Sequence, residues 1–296
     1  MSSLFDSHTH IQFPLYDADR EGVIRRAREA GVKMLCVATQ AASSQAAVDL
    51  AKKYPGEIWA AAGFHPSHLR APDAFLDGTV GVPAGAGWYH DKNEQVSIEQ
   101  EKFDAKKLLE IAKQPEVVAI GECGLDYFRL DKNETIINKE KGDQREAFIA
   151  QIELAKKVQK PLMLHLRPSK GTGDAYEDAL RIISNFQLPI SKISHFFVGS
   201  LAIAKKMLEA GFSFTFGGVT TFVRDYDEVI KYLPVENILL ETDAPYVAPA
   251  PYRGKRNEPS YILETARKIA ELKGVSFDEL AEKTFANSLR IFQIRI

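Results

Sequence analysis

Cysteine is nearly missing from this chain: two in 296 residues, Cys36 and Cys123, each inside an apolar run. That usage excludes a disulfide framework and suits a reducing compartment, and Cys123 reads as a small buried residue. Long apolar stretches are missing too, since nowhere do about 18 apolar residues follow one another, as a membrane-spanning helix requires. The start, MSSLFDSHTH, has no basic segment leading into an apolar one, so a cytoplasmic protein without membrane association is expected. Charge of one sign is not in excess: 38 basic residues stand against 40 acidic, for a net −2. No overall basic field therefore advertises nucleic-acid binding, and such a partner would be held by a local patch or by bound cations. Repeats of solenoid period and low-complexity tracts are absent. What remains is ordinary core-forming material, 45 % hydrophobic and 26 % charged.

Eight short apolar runs alternate with amphipathic helical segments, at residues 4–10, 33–39, 58–65, 117–124, 161–167, 192–197, 212–219 and 237–243. Stretches such as VVAIG, PLMLH and NILLE are apolar on both faces, as strands of a covered parallel sheet must be. The pattern predicts the α/β class and a single (β/α)8 TIM barrel, one domain over residues 1–296 with a last helix over 277–292. Gly31, Gly211 and Gly274 are expected to close helices. Asp143 and Glu146 are expected to open one as a capping box, with Phe148, Ile152 and Ala155 on its buried face. A Gly-rich stretch at residues 78–95 reads as a lid or variable insertion after the third strand.

In such a barrel, chemistry collects where strands end. His8 and His10 end strand 1, His65 strand 3, Glu122 strand 4, His165 strand 5, His195 strand 6 and Asp243 strand 8. Five of the seven histidines and two carboxylates thus share one rim, the C-terminal face. Singly, each admits a structural role: a satisfied histidine, an acid paired with arginine, or, for Asp243, a turn cap ahead of Pro245. Together they outnumber the ligands of one tetrahedral ion, and the natural reading is a two-metal site. His8, His10 and Asp243 would hold one ion with Glu122 bridging, and His165 and His195 would hold the second with the same Glu122. Asp243 would take the proton of an attacking water. Zinc, manganese and nickel suit the mixed donor set, and magnesium favours imidazole less. His68 and His90 are expected at the surface.

The motifs DSHTH, GFHP, AIGECGLDY, HLR, ISHFFVGS, LLETDAPY and RGKRNEP, in this order along nearly the whole chain, resemble those of the TatD-like metal-dependent hydrolases, a branch of the amidohydrolase-like barrels. The resemblance implies metal ligation by His8, His10, Glu122, His165, His195 and Asp243, and a deoxyribonuclease often acting 3′ to 5′. Glutamate at 122 stands where many amidohydrolases carry a bridging carboxylated lysine. After Arg167 the chain departs from the family pattern, inserting Pro168-Ser169-Lys170-Gly171-Thr172-Gly173.

Substrate contacts are expected from Arg167, on the same side of its strand as His165, and from His65. Arg253, Lys255 and Arg256 form a candidate phosphate patch, with a solvated charge run as the alternative. Tyr127, Phe128, Tyr246 and Trp88 are candidates to stack on bases of single-stranded or frayed DNA. The leading expectation is a phosphodiesterase acting on DNA, with no obligate protein partner. A D-aminoacyl-tRNA deacylase or small-molecule ester or amide hydrolase is the alternative chemistry of the same site, and a binding protein retaining only the barrel is the third reading.

Overall fold

The computed structural model describes residues 3–69, 101–128, 130 and 133–295. Eight parallel strands pair in sequence order and close on themselves: β1 (Leu4–Thr9), β2 (Val32–Val37), β3 (Ile58–Ala62), β4 (Val117–Asp126), β5 (Leu162–Arg167), β6 (Lys192–Ser194), β7 (Phe212–Phe216) and β8 (Ile238–Leu240). Closure comes from β8 returning to β1, Leu240 opposite Asp6. The helices among the described residues are α1 (Arg20–Glu29), α2 (Ala41–Lys53), α3 (Ala105–Ala112), α4 (Glu134–Val158), α5 (Asp174–Ser184), α6 (Leu201–Glu209), α7 (Asp227–Tyr232), α8 (Ile262–Lys273) and α9 (Phe277–Ile291). None is long and apolar enough to cross a membrane.

Strand side chains alternate between two cores. Leu4, Met34, Ile120, Leu164 and Ile238 face outward against the helices. Phe5, Ala61, Ala119, Met163, Ile193 and Leu239 face inward and fill the base of the barrel, where Ile291 and Phe292 plug it from the end of α9. Phe292 stacks on Phe5 with ring centroids 5.8 Å apart. The interior is packed below, and the buried histidines and carboxylates His8, His10, Glu122, His195 and Glu241 gather at the C-terminal mouth.

Two breaks in the ladder set the mouth. The β1–β2 register shifts between Asp6 and Thr9, and the β4–β5 register shifts between Ile120 and Cys123. Such bulges reverse which face a side chain takes. Thus β1 sends Phe5 inward below its bulge and His8 and His10 inward above it. In β4, Ala119 and Glu122 both point inside although they stand an odd three positions apart, while Cys123 turns out into the helix-facing core.

Several expected boundaries move. β6 and β8 are three residues each, because the chain leaves the ladder where Phe196 and Asp243 take left-handed backbone, φ 45° and 54°. The run expected over 212–219 ends at Phe216 and continues as a 3-10 turn, Gly218–Thr221. The capping box at Asp143 does not form: Asn133 caps α4 farther upstream by accepting from the Thr135 and Ile136 N–H groups at 3.0 and 3.4 Å. Asp143 lies mid-helix, paired with Lys139 at 2.7 Å, while Phe148, Ile152 and Ala155 are buried as expected. Gly31, Gly211 and Gly274 end α1, α6 and α8 with positive φ. The 78–95 stretch, with Trp88 and His90, lies outside the described residues.

Candidate metal centre

At the end of β1, His8 Nε2 and His10 Nε2 stand 3.2 Å apart. His10 Nδ1 lies 2.7 Å from the Val37 carbonyl oxygen, which can only accept, so this nitrogen carries the proton and Nε2 presents a lone pair. That lone pair faces Asp243 Oδ1 at 3.3 Å, and His8 Nε2 lies 3.3 Å from Glu122 Oε2 and 3.8 Å from Asp243 Oδ1. Acceptors turned toward acceptors repel unless a cation sits among them. Donors about 2.1 Å from one tetrahedral centre are about 3.4 Å from one another, and the separations here run from 3.2 to 3.9 Å. The residues fit a divalent ion.

Glu122 is the hub. Its Oε1 accepts from His165 Nδ1 at 2.7 Å and lies 3.3 Å from both His195 Nε2 and His65 Nε2. Burial alone would favour the neutral acid, but His65, His195 and His8 outweigh it and hold this carboxyl well below the usual range. Its main chain is wedged in place: the Glu122 N–H donates to Ala38 O at 2.8 Å. Gly63 of the neighbouring strand lies so close that a Cβ there would come 2.2 Å from the Gly121 carbonyl carbon. His8, His10 and Asp243 form one potential ligand group, His8, Glu122 and His195 a second, and His65, Glu122 and His165 a third.

Asp6 sits behind this cluster, fully buried, accepting from Thr242 N and Thr242 Oγ1 at 2.9 and 2.5 Å. Burial pushes its carboxyl up to about 8. With the Asp243 N–H donating to His8 O at 2.8 Å, it ties β1 to the loop after β8 and sets His8 and His10 against Asp243.

The profile of the family described as TatD related DNase matches residues 5–293. This chain belongs to the TatD-related DNase family. The uncharacterized metal-dependent hydrolase YabD of Bacillus subtilis (strain 168) is 35 % identical over 295 residues, 98 % of this chain and 99 % of that protein. The 3'-5' ssDNA/RNA exonuclease TatD of Erwinia tasmaniensis is 32 % identical over 304 residues, 98 % of this chain and 100 % of that one. Among solved structures, YJJV, a TatD homologue from Escherichia coli K12, superposes with a TM-score of 0.77 at 26 % identity, covering 99 % of this chain and 98 % of that one.

In this TatD-family site, two carboxylates escape a reading of strand ends. Glu241 is fully buried, and its Oε2 accepts from His195 Nδ1 at 3.0 Å and Thr215 Oγ1 at 2.5 Å. Asp126 places Oδ2 3.3 Å from His165 Nε2. Each turns the far nitrogen of its imidazole toward Glu122, the outer support that metal-binding histidines ordinarily have. Burial opposes charge on His195, yet Glu241 and Glu122 hold its pKa well above the usual value. His165 is likewise raised against burial, by Asp126 and Glu122. The signal was available: Glu241 precedes Asp243 by two and Asp126 follows Glu122 by four, even spacings that share a face.

Other expectations read from the sequence need correcting. His68 is half-buried rather than at the surface, its ring centroid 6.1 Å from that of His65, and burial pushes its pKa down to about 3, with His65 adding. Tyr127 is buried with its hydroxyl on Asp178 at 2.8 Å, so its ring is not offered to a base. One of the three candidate phosphate cations serves the fold, Arg256 bonding Asp19 at 2.6 Å and Leu15 O at 3.0 Å, whereas Arg253 is anchored through a single donation to Ala248 O at 2.7 Å. The NEP segment is an anchor, with Tyr16 donating to Asn257 O and Arg26 gripping Glu258 through both oxygens. Arg167 does stand at the mouth, its guanidinium carbon 4.1 Å from the ring centroid of Phe128, which is 42 % exposed. Tyr246 has its ring 6.0 Å from that of His10.

Proposed function

We propose that this TatD-family hydrolase, one domain over residues 1–296, removes nucleotides from the 3′ ends of single-stranded or frayed DNA by hydrolysis of the phosphodiester bond. The observation that carries the reading is Glu122, whose two oxygens face different sets of imidazoles. His8, His10 and Asp243 would hold one ion and His165 and His195 a second, with Glu122 shared. Two such ions, zinc, manganese, nickel or magnesium, would supply Lewis-acid stabilisation of the attacking and leaving oxygens and would lower the pKa of water toward neutral pH. Asp243 would accept a proton from the attacking water: its side chain is 16 % exposed where that of Glu122 is 4 % exposed, so it is the carboxylate of the pair that solvent reaches. Arg167 grips a phosphate while Phe128 offers its ring to a base. His65 holds Nδ1 against Ser67 Oγ at 2.7 Å and presents Nε2 to the substrate side of Glu122. Two buried free thiols accord with a cytoplasmic setting.

The test is release of mononucleotides from a 5′-labelled single strand by protein supplied with manganese, magnesium or zinc. Stepwise shortening from the 3′ end is the expected result. An intact strand with all three ions, alongside cleavage of aminoacyl esters, would replace this reading with the ester hydrolase.

A further inference from the structure

The loops after β7 and β8 meet in an aromatic and cationic pair that the metal centre does not use. Phe222 closes the 3-10 turn Gly218–Thr221 and is 37 % exposed, whereas the phenylalanines of β7 itself are buried. Arg253, from the loop after β8, sets its guanidinium carbon 4.0 Å from the Phe222 ring centroid. The pair is rigid. Thr221 Oγ1 accepts from Ala250 N at 2.8 Å, and a Cβ on Gly218 would come 2.4 Å from Val247 O, so the two loops are pressed together. It is also joined to the centre, since Glu241, the support of His195, donates its N–H to Phe216 O at 3.2 Å just before the turn begins. Four residues of 3-10 rise, about 8 Å, separate Gly218 from Phe222.

The composition and distance repeat those of Arg167 over Phe128 on the β4/β5 side, 4.1 Å there and 4.0 Å here. Arg224, two residues past Phe222, donates to Thr220 O and is paired with Asp227 at 3.5 Å, which leaves Arg253 as the cation against the ring. A ring left in water with a guanidinium against it offers a flat π surface to a base and positive charge to the phosphate beside it. A single polynucleotide strand presents these two chemistries together at every residue.

We propose that Phe222 and Arg253 form a second base-stacking subsite, on the β7/β8 side of the mouth, which holds a nucleotide of the single strand away from the bond being cleaved. The proposal rests on the nuclease reading. It is tested by fluorescence anisotropy of labelled deoxythymidine trimer and decamer in EDTA, and in parallel by cleavage of the decamer in manganese. Phe222→Leu is compared with Phe222→Trp, both at an exposed ring where folding is little affected, and with Arg253→Gln, whose melting temperature is checked because it also loses the bond to Ala248 O. Phe222→Leu is expected to raise the decamer Kd by about 5- to 150-fold, the range for one lost base stack. Phe222→Trp should keep the wild-type value, and Arg253→Gln should fall between the two. Decamer affinity for Phe222→Leu equal to wild type overturns the subsite while cleavage by the wild type leaves the nuclease reading standing. Binding that weakens in Phe222→Leu, in a wild type that never cleaves, upholds the subsite and removes the nuclease reading. A wild type that neither binds nor cleaves the decamer overturns both.

Discussion

Replacing Glu241 by glutamine keeps the shape of a fully buried side chain and removes only its charge. In the native site one oxygen, Oε2, accepts from both His195 Nδ1 at 3.0 Å and Thr215 Oγ1 at 2.5 Å. The amide oxygen of glutamine can accept the same two bonds, so His195 keeps its orientation and loses the negative charge behind it. Loss of such an outer partner weakens metal binding by about 10- to 100-fold, or ~1.4 to 2.7 kcal/mol. The pH dependence is more diagnostic than the magnitude. Glu241 is the strongest of the groups that raise the His195 pKa against burial, so the carboxylate favours proton and metal alike. Ligation requires the neutral imidazole. At a pH above the His195 pKa, no proton competes and the full loss of affinity should appear. As pH falls through that pKa, the native protein spends part of its metal affinity expelling a proton that the variant binds less well. The ratio of native to Glu241→Gln affinity must therefore grow with pH, which competition titration against a chromogenic chelator can measure. Glu241→Ala differs: it leaves two buried donors bare, at about 1 to 3 kcal/mol each, and should lower the melting temperature as well. A Glu241→Gln protein with native affinity at every pH would reduce Glu241 to a packing residue with no electrostatic role at His195.

Gly63→Ala drives a methyl group into the Gly121–Glu122 backbone, and should cost about 1 to 3 kcal/mol of stability, seen as a lower melting temperature, with weakened metal retention in elemental analysis. Asp243→Asn removes the proposed proton acceptor and is expected to lower kcat by about 100- to 10,000-fold on a single-stranded substrate while the barrel still melts cooperatively. Arg167→Lys keeps the charge but loses the planar group over Phe128, so KM should rise by about 2- to 30-fold with kcat nearly unchanged, by steady-state kinetics on an oligonucleotide.

The barrel was legible because its strands are apolar on both faces and three of its helices, α1, α6 and α8, end on glycines that take positive φ, two signals that depend on local residues alone. The shared rim was legible for a related reason: in a parallel barrel every strand points the same way, so residues at strand ends collect at one end of the barrel. The uses of the cations were not legible. Arg253, Lys255 and Arg256 look alike in the sequence, and only the fold brings Asp19 to Arg256 and Phe222 to Arg253. Tyr127 and Phe128 are adjacent, yet one is buried on Asp178 and the other exposed, a difference set by Arg145 and Asp178 converging from α4 and α5.

The deeper limit concerns which face of a strand a residue takes. Alternation carries Met163 to His165, Ile193 to His195 and Leu239 to Glu241, all inward. The same rule extended from Phe5 would turn His8 and His10 outward, and extended from Ala119 would turn Glu122 outward. The register shifts in β1 and β4 reverse both. A strand that packs the base of a barrel with one set of side chains and serves its mouth with the other set must change face between the two, and a bulge is the smallest device that does so. The close approach of Gly63 to the Gly121–Glu122 backbone leaves no room for a side chain beside the second of these breaks. The irregularities that sequence periodicity cannot foresee are therefore the features that bring Glu122 within reach of His8, His65, His165 and His195.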